Sequence, residues 1–247
     1  MPAVSDAKYV VNAGWDDVPH LDADTKSKML AATPQHLRKA RAKGEPSMGA
    51  GAIYPIELES IQVDPFPIPP HWRRCYGLDV GWNKTACIWL AIDDDTGIIY
   101  AYSEHYEGEK KPVEHASAIK ARGDWIPGVI DPASRGRSQD DGERLIVSYR
   151  NESLDIAPAI NSVEAGIYEL WTLLSVGRFK VFSTLTAWAG EYRLYRRDEH
   201  GKIVKKHDHL MDASRYAIMS GLRRAIRRPI VSIEPTVGVI ADSCAGY

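Results

Sequence analysis

Residues 76–92 read YGLDVGWNKTACIWLAI, and the reading of the whole chain turns on the fourth of them. Asp79 interrupts an otherwise apolar run with the character of a buried strand. A lone carboxylate in such a place is costly unless it is paired, sits at the strand's edge or holds a cation. From this residue alone those alternatives stay open. The run divides into a first strand in RCYGLDVG (74–81) and a second in TACIWLAI (85–92). The turn DDDTG (93–97) then leads to a third, IIYAYSEHY (98–106), with Gly97 free to take a positive φ.

Working outward, a helix is expected from Pro112 to Arg122, then a short apolar strand in PGVID that ends at Asp131. SQDDGERLIVSYR (138–150) reads as helical and SLDIA (153–157) as a short strand. In NSVEAGIYELWTLLSVG (161–177), Asn161 and Glu164 have capping-box spacing. Ile167, Leu170, Trp171 and Leu174 form an apolar stripe there, and Gly177 is a stop. RFKVF (178–182) is a further strand, and EYRLYRRDEHGKIVKKHD (191–208) reads as a charged hairpin turning at DEHG. A last helix is expected to start near His209 and to run to Pro229. Three antiparallel strands followed by alternating helices and strands make a mixed sheet with helices on its faces, an α/β or α+β layer design.

The first 70 residues differ. WDDVPHL, the basic stretch TPQHLRKARAKGEP (33–46) and the Pro-rich DPFPIPPHW (64–72) read as a helix between loops followed by a stiff linker. The prolines of PFPIPP fit neither a helix nor a central strand, so the domain boundary is expected near His71.

Composition excludes several classes. With 44% hydrophobic and 26% charged residues among 247, the chain has the make-up of a globular protein. No stretch reaches the roughly 20 apolar residues of a membrane helix, and the start lacks a secretory pattern. Three cysteines, Cys75, Cys87 and Cys244, at unrelated spacings argue for a reducing compartment and against a disulfide framework or zinc site. The net charge is −2, yet cations cluster at Arg193–Lys206 and at Arg215–Arg228, and local basic faces bind polyanions on a neutral chain.

Three aspartates then stand out. Asp79 lies on the first strand and Asp131 ends a later one. Asp212 falls early in the last helix, about 100° from the centre of the face shared by Met211, Ile218, Leu222 and Ile226. A helix packed across neighbouring strands would gather all three. Clustered carboxylates repel one another unless a cation sits among them, and Mg²⁺ or Mn²⁺ is the usual choice. Two such ions can activate water and stabilise the leaving oxygen of a phosphodiester. Ser134, Ser138 and Ser214 lack a nucleophile-elbow context. HDH (207–209) has the residue types of a transition-metal site but reads as a solvated loop, and no GxxxxGK[ST] phosphate loop occurs.

YGLDVGW, GVIDPAS and DHLMDASRYA resemble, in order, the three acidic motifs of the nuclease domain of tailed-phage large terminase subunits. WDDVPHL and KGEPSMGAGAIYP are similar to the connector leaving the terminase ATPase. The resemblance implies an α/β fold, a ribonuclease H-like mixed central sheet with helices on both faces. It divides the chain into a connector (1–70), a nuclease domain (71–228) and a tail (229–247). It implies that Asp79, Asp131 and Asp212 bind two Mg²⁺ or Mn²⁺ ions, and that the Tyr192–Lys206 hairpin lies beside the nuclease site. The charge of Arg196, Arg197, Lys202 and Lys205 leads us to expect that the hairpin grips the backbone of double-stranded DNA. The alternative is an exposed, soluble hairpin whose cations merely discourage edge pairing. The implied partners are the portal protein, the small terminase subunit and the ATPase of the same polypeptide. The implied place is the infected cell's cytoplasm, transiently on the procapsid, with no membrane. Because the ATPase motor is absent, the chain looks like an excised nuclease domain or a product of processing. A transposase or resolvase on the same scaffold and a non-catalytic portal-docking module remain alternatives.

Overall fold

The computed structural model describes residues 14–32, 42, 51–135 and 145–229. The basic stretch expected to be helical at 33–46 lies, apart from Ala42, outside the described residues, as do 138–144 and the tail from residue 230. The strands are β1 (Gln62–Val63), β2 (Arg73–Asp79), β3 (Thr85–Ile92), β4 (Ile99–Glu107), β5 (Gly128–Ile130), β6 (Ile156–Pro158) and β7 (Phe179–Phe182). The helices are α1 (Ala23–Ala32), α2 (Leu58–Ile61), α3 (Pro112–Lys120), α4 (Leu145–Asn151), α5 (Val163–Ser175), α6 (Thr186–Leu194) and α7 (His209–Met219).

The strands form one sheet of seven in the order β1-β7-β4-β3-β2-β5-β6. β2, β3 and β4 make the expected antiparallel meander, and β5, β6 and β7 join it in parallel. All eight residues of β3 are buried because both faces of the sheet are covered. Ile88 and Leu90 look toward α5, α6 and α7, through Leu170, Trp188 and Leu210. Cys87 and Trp89 look the other way, toward Ile119 of α3 and Tyr149 of α4. Burying one such Leu or Ile side chain is worth about 1.5–3 kcal/mol. The continuous apolar run is thus the signature of a strand sandwiched between helix layers. The expected α/β, ribonuclease H-like mixed sheet with helices on both faces is the observed fold.

The packed unit begins before His71. Tyr54, Leu58 and Ile61 are core residues, and β1 pairs in parallel with β7 through Gln62–Val181 and Val63–Phe182. Two residues of ladder between a short helix and a run of prolines leave little periodicity to read. Three further expectations are corrected. Asn161 and Glu164 form no capping box. Ser162 is the N-cap of α5, Asn161 accepts a hydrogen bond from Arg215 (3.1 Å), and Glu164 is held by Arg197 at 2.6 Å. In the α5 stripe, Leu173 is buried where Trp171 was expected, with Trp171 on the rim. The last helix stops at Met219, with Gly221–Arg223 a 3₁₀ turn, because Ile226 leaves to bridge Arg74 at the start of β2.

A buried histidine pair ties β4 to α3. His105 Nε2 and His115 Nδ1 are 2.8 Å apart, and both rings are almost inaccessible. Burial, reinforced by nearby cations, pushes His105 down to about 4, and burial lowers His115 as well. Both rings are therefore held neutral in the fold but return to about 6.5 on unfolding. Their contribution is complete above pH 6.5 and is lost as pH falls toward 4, because the unfolded chain binds more protons in that window. The urea midpoint of the parent minus that of a His105→Gln/His115→Gln variant should be flat from pH 8 to 7 and fall between pH 6.5 and 5. The difference separates the pair from His209 and Asp79, whose raised values act in the opposite sense. A difference unchanged down to pH 5 would contradict the assignment.

Candidate active site

β2 and β5 are parallel neighbours with Leu78 opposite Ile130, and Asp131 N–H donates to Leu78 carbonyl at 2.9 Å. The next residue of each strand, Asp79 and Asp131, therefore stands at the same carboxyl end, about 4.8 Å apart in backbone spacing. In open sheets with parallel strands, ligands sit at such ends. Gly77 lies two residues before Asp79 and so faces the same side. A β-carbon there would fall 2.1 Å from the Ala213 carbonyl oxygen of α7. The missing side chain lets α7 lie directly on β2, and it lies there with Asp212 beside Ala213. The three aspartates come from three elements and lie toward one end of the sheet, near enough for Asp131 and Asp212 to act on Asp79.

Their charge is answered by two cations of the chain, Lys205 and Arg215, and by a hydrogen-bond partner, His209. His209 Nδ1 is 2.9 Å from Asp79 Oδ2. Lys205 Nζ lies 3.1 Å from Asp208 and 3.3 Å from Asp212. Arg215, fully buried, binds Asp212 Oδ1 at 3.0 Å, rests on the Tyr216 ring and reaches Asn161. Gly166 makes the room, since a β-carbon there would meet Arg215 Cγ at 2.3 Å. Asp131 accepts from Tyr216 hydroxyl (3.2 Å) and Ala133 N–H (3.0 Å). Burial raises the Asp79 pKa, and the Asp212 and Asp131 carboxylates add to it against the His209 hydrogen bond. The hydrogen bond to the Asp79 carboxylate raises His209 in turn. Lys205 and Arg215 are both raised: burial opposes their charge, but the Asp212 carboxylate outweighs it.

Three carboxylates are a hard-oxygen donor set, suited to Mg²⁺ or Mn²⁺. Among the described residues, however, no three acidic, His or Cys side chains converge closely enough to hold an ion as they stand. Lys205 and Arg215 occupy Asp212, and His209 occupies Asp79. The donor chemistry fits a divalent cation once those side chains give way. The raised Asp79 pKa points the same way, since a cation would relieve that repulsion.

The expected hairpin is shorter than EYRLYRRDEHGKIVKK. Glu191, Tyr192, Arg193 and Leu194 are the last residues of α6, and pairing begins only at Arg196, with Arg197 opposite Ile203. The helix prevails because Trp188, Tyr192 and Tyr195 all face the core. Arg196 and Lys202 are exposed on the hairpin. Arg197 is instead tied to Glu164, and Lys205 to the acidic residues of the site. In the HDH segment, His207 is exposed and takes φ 58°, Asp208 stands at the N-cap position of α7 without a side-chain cap, and His209 joins Asp79.

Sequence reasoning missed Glu191. Its buried carboxylate accepts from Leu210 N–H (2.5 Å) and Met211 N–H (3.4 Å) at the start of α7, and from Tyr106 hydroxyl (2.7 Å). It anchors the positive end of the helix that carries Asp212. Glu104 does the same for α6, accepting from Ala187 and Trp188 N–H at 3.0 and 2.8 Å. The helical spacing of Trp188, Tyr192 and Tyr195 was the available signal for α6. Nothing local in the sequence marks Glu191's partners.

This order of strands, with helices on both faces and acidic residues at the carboxyl ends of two adjacent parallel strands, defines a ribonuclease H-like domain. The family model of the Terminase RNaseH-like domain matches residues 76–220, a span that includes all three aspartates, and the chain belongs to that family. It is 37% identical over 228 residues to the large terminase subunit of Enterobacteria phage LP7, covering 89% of this chain and 48% of that protein. To the large terminase subunit of Salmonella phage P22 it is 36% identical over 237 residues, 91% of this chain and 48% of that protein. The chain spans about half the length of the curated relatives it matches. The solved nuclease domain of the P22 large terminase superposes with a TM-score of 0.66 at 36% identity, over 74% of this chain and 97% of that one. The large terminase nuclease of thermophilic phage G20c with bound magnesium shares the fold at TM-score 0.52 and 19% identity, over 70% of this chain and 98% of that one.

The closeness of α7 to β2 yields a test. Gly77→Ala must push Ala213 and its helix away, and it should cost about 3 kcal/mol, the upper range for overpacking. Gly190 has open space around it inside α6. There Gly→Ala should be neutral or stabilising by up to about 1 kcal/mol. Urea unfolding of the two variants beside the parent checks the contrast, and equal midpoints would refute the tight contact.

Proposed function

We propose that this domain is a divalent-metal-dependent endonuclease of a phage DNA-packaging motor, cutting concatemeric double-stranded viral DNA. The observation that carries this reading is the placement of Asp79 and Asp131 on adjacent parallel strand ends, with Asp212 on the helix that Gly77 admits. The P22 relative's description as a large terminase nuclease domain supports it. Asp79, Asp131 and Asp212 would hold the ions, two in the reading favoured here, Mg²⁺ or Mn²⁺. Among the structures of the G20c nuclease are one with bound magnesium and one with bound cobalt. Bound ions would supply the Lewis acidity for phosphodiester hydrolysis, so no nucleophilic side chain is required. Ser214 fits that picture, since its hydroxyl is spent between Trp188 Nε1 (2.9 Å) and Leu210 carbonyl (2.7 Å).

The chain's own residues orient the ligands. Arg215, itself held by Asn161, fixes Asp212, Tyr216 and Ala133 N–H fix Asp131, and His209 fixes Asp79. Lys205 pairs with Asp212, and were Asp212 engaged with an ion, the Lys205 ammonium would be free for a DNA phosphate beside Arg196 and Lys202. Arg197 would serve by bracing the hairpin against α5 through Glu164. The wider partners of this reading are the portal protein, the small terminase subunit and an ATPase region of the same large subunit, in the host cytoplasm and at the procapsid. No described helix is long and apolar enough to cross a membrane.

Supercoiled plasmid nicking in Mn²⁺, with EDTA as the blank, tests the activity. Asp79→Asn, Asp131→Asn and Asp212→Asn should each abolish it. Their stabilities should part company. Asp79→Asn removes a carboxylate whose charge the fold disfavours, so the metal-free variant should be as stable as the parent. Asp212→Asn leaves Arg215 buried without its carboxylate and should cost about 3 kcal/mol or more. Wild-type nicking by any one variant would remove that residue from the site.

The hairpin carries its own test. Arg196→Ala with Lys202→Ala should weaken duplex binding alike for all sequences. The pair should flatten the log K against log salt slope by about 1.8, or about 0.9 per lost phosphate contact. An unchanged slope would leave the hairpin as a solvated edge.

A further inference from the structure

The run Arg215–Arg228 carries more cations than the acidic site uses. Arg215 serves Asp212, Arg224 pairs with Asp155 at 2.5 Å, and Arg227 reaches Asp94, which Arg73 also holds. Arg228 goes elsewhere. The antiparallel bridge between Ile226 and Arg74 lays the chain after α7 along the start of β2. Arg228 thereby comes to line a cavity of about 520 Å³ with Arg74, Lys120, Arg122 and Trp125, and with Asp124 as its one acidic residue. Residue 74 faces the same side as Tyr76 and Leu78, the layer of α3 and α4, whereas Asp79 faces α7. Five residues of strand separate Arg74 from Asp79, about 17 Å. The cavity is on the other face and at the other end of the sheet from the aspartates.

Arg74 and Arg122 are held by neutral partners. Arg74 donates to the carbonyls of Ile68 (3.0 Å) and Pro69 (3.4 Å), and its guanidinium lies 5.5 Å from the Trp125 ring centroid and 5.7 Å from that of Tyr102. Its Nε is buried without a hydrogen-bond partner. Arg122 donates to Ser103 Oγ and to the carbonyls of Ala118 and Glu104, and lies over Trp89. Lys120 donates to the Glu152 carbonyl at 3.0 Å, with that residue's carboxylate 4.0 Å away. Among the described residues no carboxylate pairs with Arg74, Arg122 or Arg228. Three guanidinium groups and an ammonium around one concavity give positive potential that nothing inside it cancels beyond Asp124.

We infer that this cavity is a second ligand site, independent of the acidic one, that takes a phosphate group. Planar guanidinium forks and a point-charge ammonium together match the several oxygens and the extra charge of a phosphate better than one carboxylate. The volume falls within the range of about 300–1,000 Å³ of small-ligand sites. The Trp125 ring, stiffened by Arg74, is a flat wall against which a base can stack. The phosphate has two possible sources, a free nucleotide or the backbone of a nucleic acid strand.

Calorimetric titration of the metal-free chain in EDTA, with sodium pyrophosphate, ADP and a 20-base-pair duplex as probes, tests the inference. Lys120→Gln with Arg228→Gln alters only the rim and should leave the urea midpoint in place. It should weaken pyrophosphate binding about tenfold or more, the usual worth of lost charge-assisted hydrogen bonds. Arg74→Gln should do the same, and if it fails to fold the rim pair decides. Asp79→Asn should bind pyrophosphate like the parent, which separates this site from the acidic one. ADP binding tighter than pyrophosphate assigns the site to nucleotides. Duplex binding whose salt slope flattens in the rim pair, with ADP no better than pyrophosphate, assigns it to a strand. No saturable pyrophosphate binding overturns the inference, as does binding that the rim pair leaves unchanged. Equal competition by the dicarboxylate glutarate overturns the phosphate class.

Discussion

The contact between α7 and β2 at Gly77 sets the geometry on which the acidic site depends. Helix and sheet ordinarily keep a side-chain layer between them, which would hold a carboxylate on the helix back from carboxylates at strand ends. Here one residue of that layer is missing, and the Ala213 carbonyl occupies the place of a β-carbon. The rest of the molecule reinforces the same approach. Small residues Ala213 and Ala217 line the helix where it meets β2, and Trp188 ties α6 to α7 through Ser214. Glu191 fixes the start of α7 by accepting two of its orphan N–H groups. A helix buried nearly all round, as α7 is from Leu210 to Ile218, has little freedom to slide.

Such closeness has an electrostatic consequence. Drawing Asp79, Asp131 and Asp212 together in a partly buried corner would be unfavourable if nothing answered their charge. Arg215 answers one permanently, because it is itself buried and has no route to water. Lys205 is different in kind. Its side chain is 60% exposed, so its hold on Asp208 and Asp212 is the weaker, screened sort of ion pair. His209 is intermediate, at 36% exposed. The buried cation belongs to the architecture, and the exposed Lys205 is the one a divalent ion could displace at small cost.

How much of this the sequence discloses follows from the range of each interaction. The strands β2, β3, β4 and β5 were legible because alternation and continuous apolar runs are local, and Gly97 takes its positive φ (68°) as its turn demands. The three aspartates were legible as polar exceptions to apolar patterns. The α6 ending was not, because EYRLYRR alternates like a strand while Trp188, Tyr192 and Tyr195 repeat like a helix, and tertiary packing chose between them. The capping box at Asn161 failed for the same reason: both of its residues found long-range partners, in Arg215 and Arg197. Glu191 and Lys205 act through groups that only the fold brings near. Spacing rules do not encode such partners.

The same limit explains the basic run after α7. Read as a helix to Pro229, it would place Arg223, Arg224, Arg227 and Arg228 around one cylinder, a solvated face of like charges. The helix ends instead at Met219, and the segment becomes an extended strap whose residues part. Ile226 takes the ladder position beside Arg74 that β5, starting only at Gly128 opposite Tyr76, leaves vacant. Once that backbone pairing is made, alternate residues of the strap must point to opposite sides. Arg227 turns to Asp94 and Arg228 to the cavity beside Lys120. A cluster that looks uniform in sequence is thus divided by two backbone hydrogen bonds, Arg74 N–H to Ile226 carbonyl at 2.8 Å and Ile226 N–H to Arg74 carbonyl at 3.2 Å. The shortness of β5, rather than any property of the arginines, decides where their charge goes.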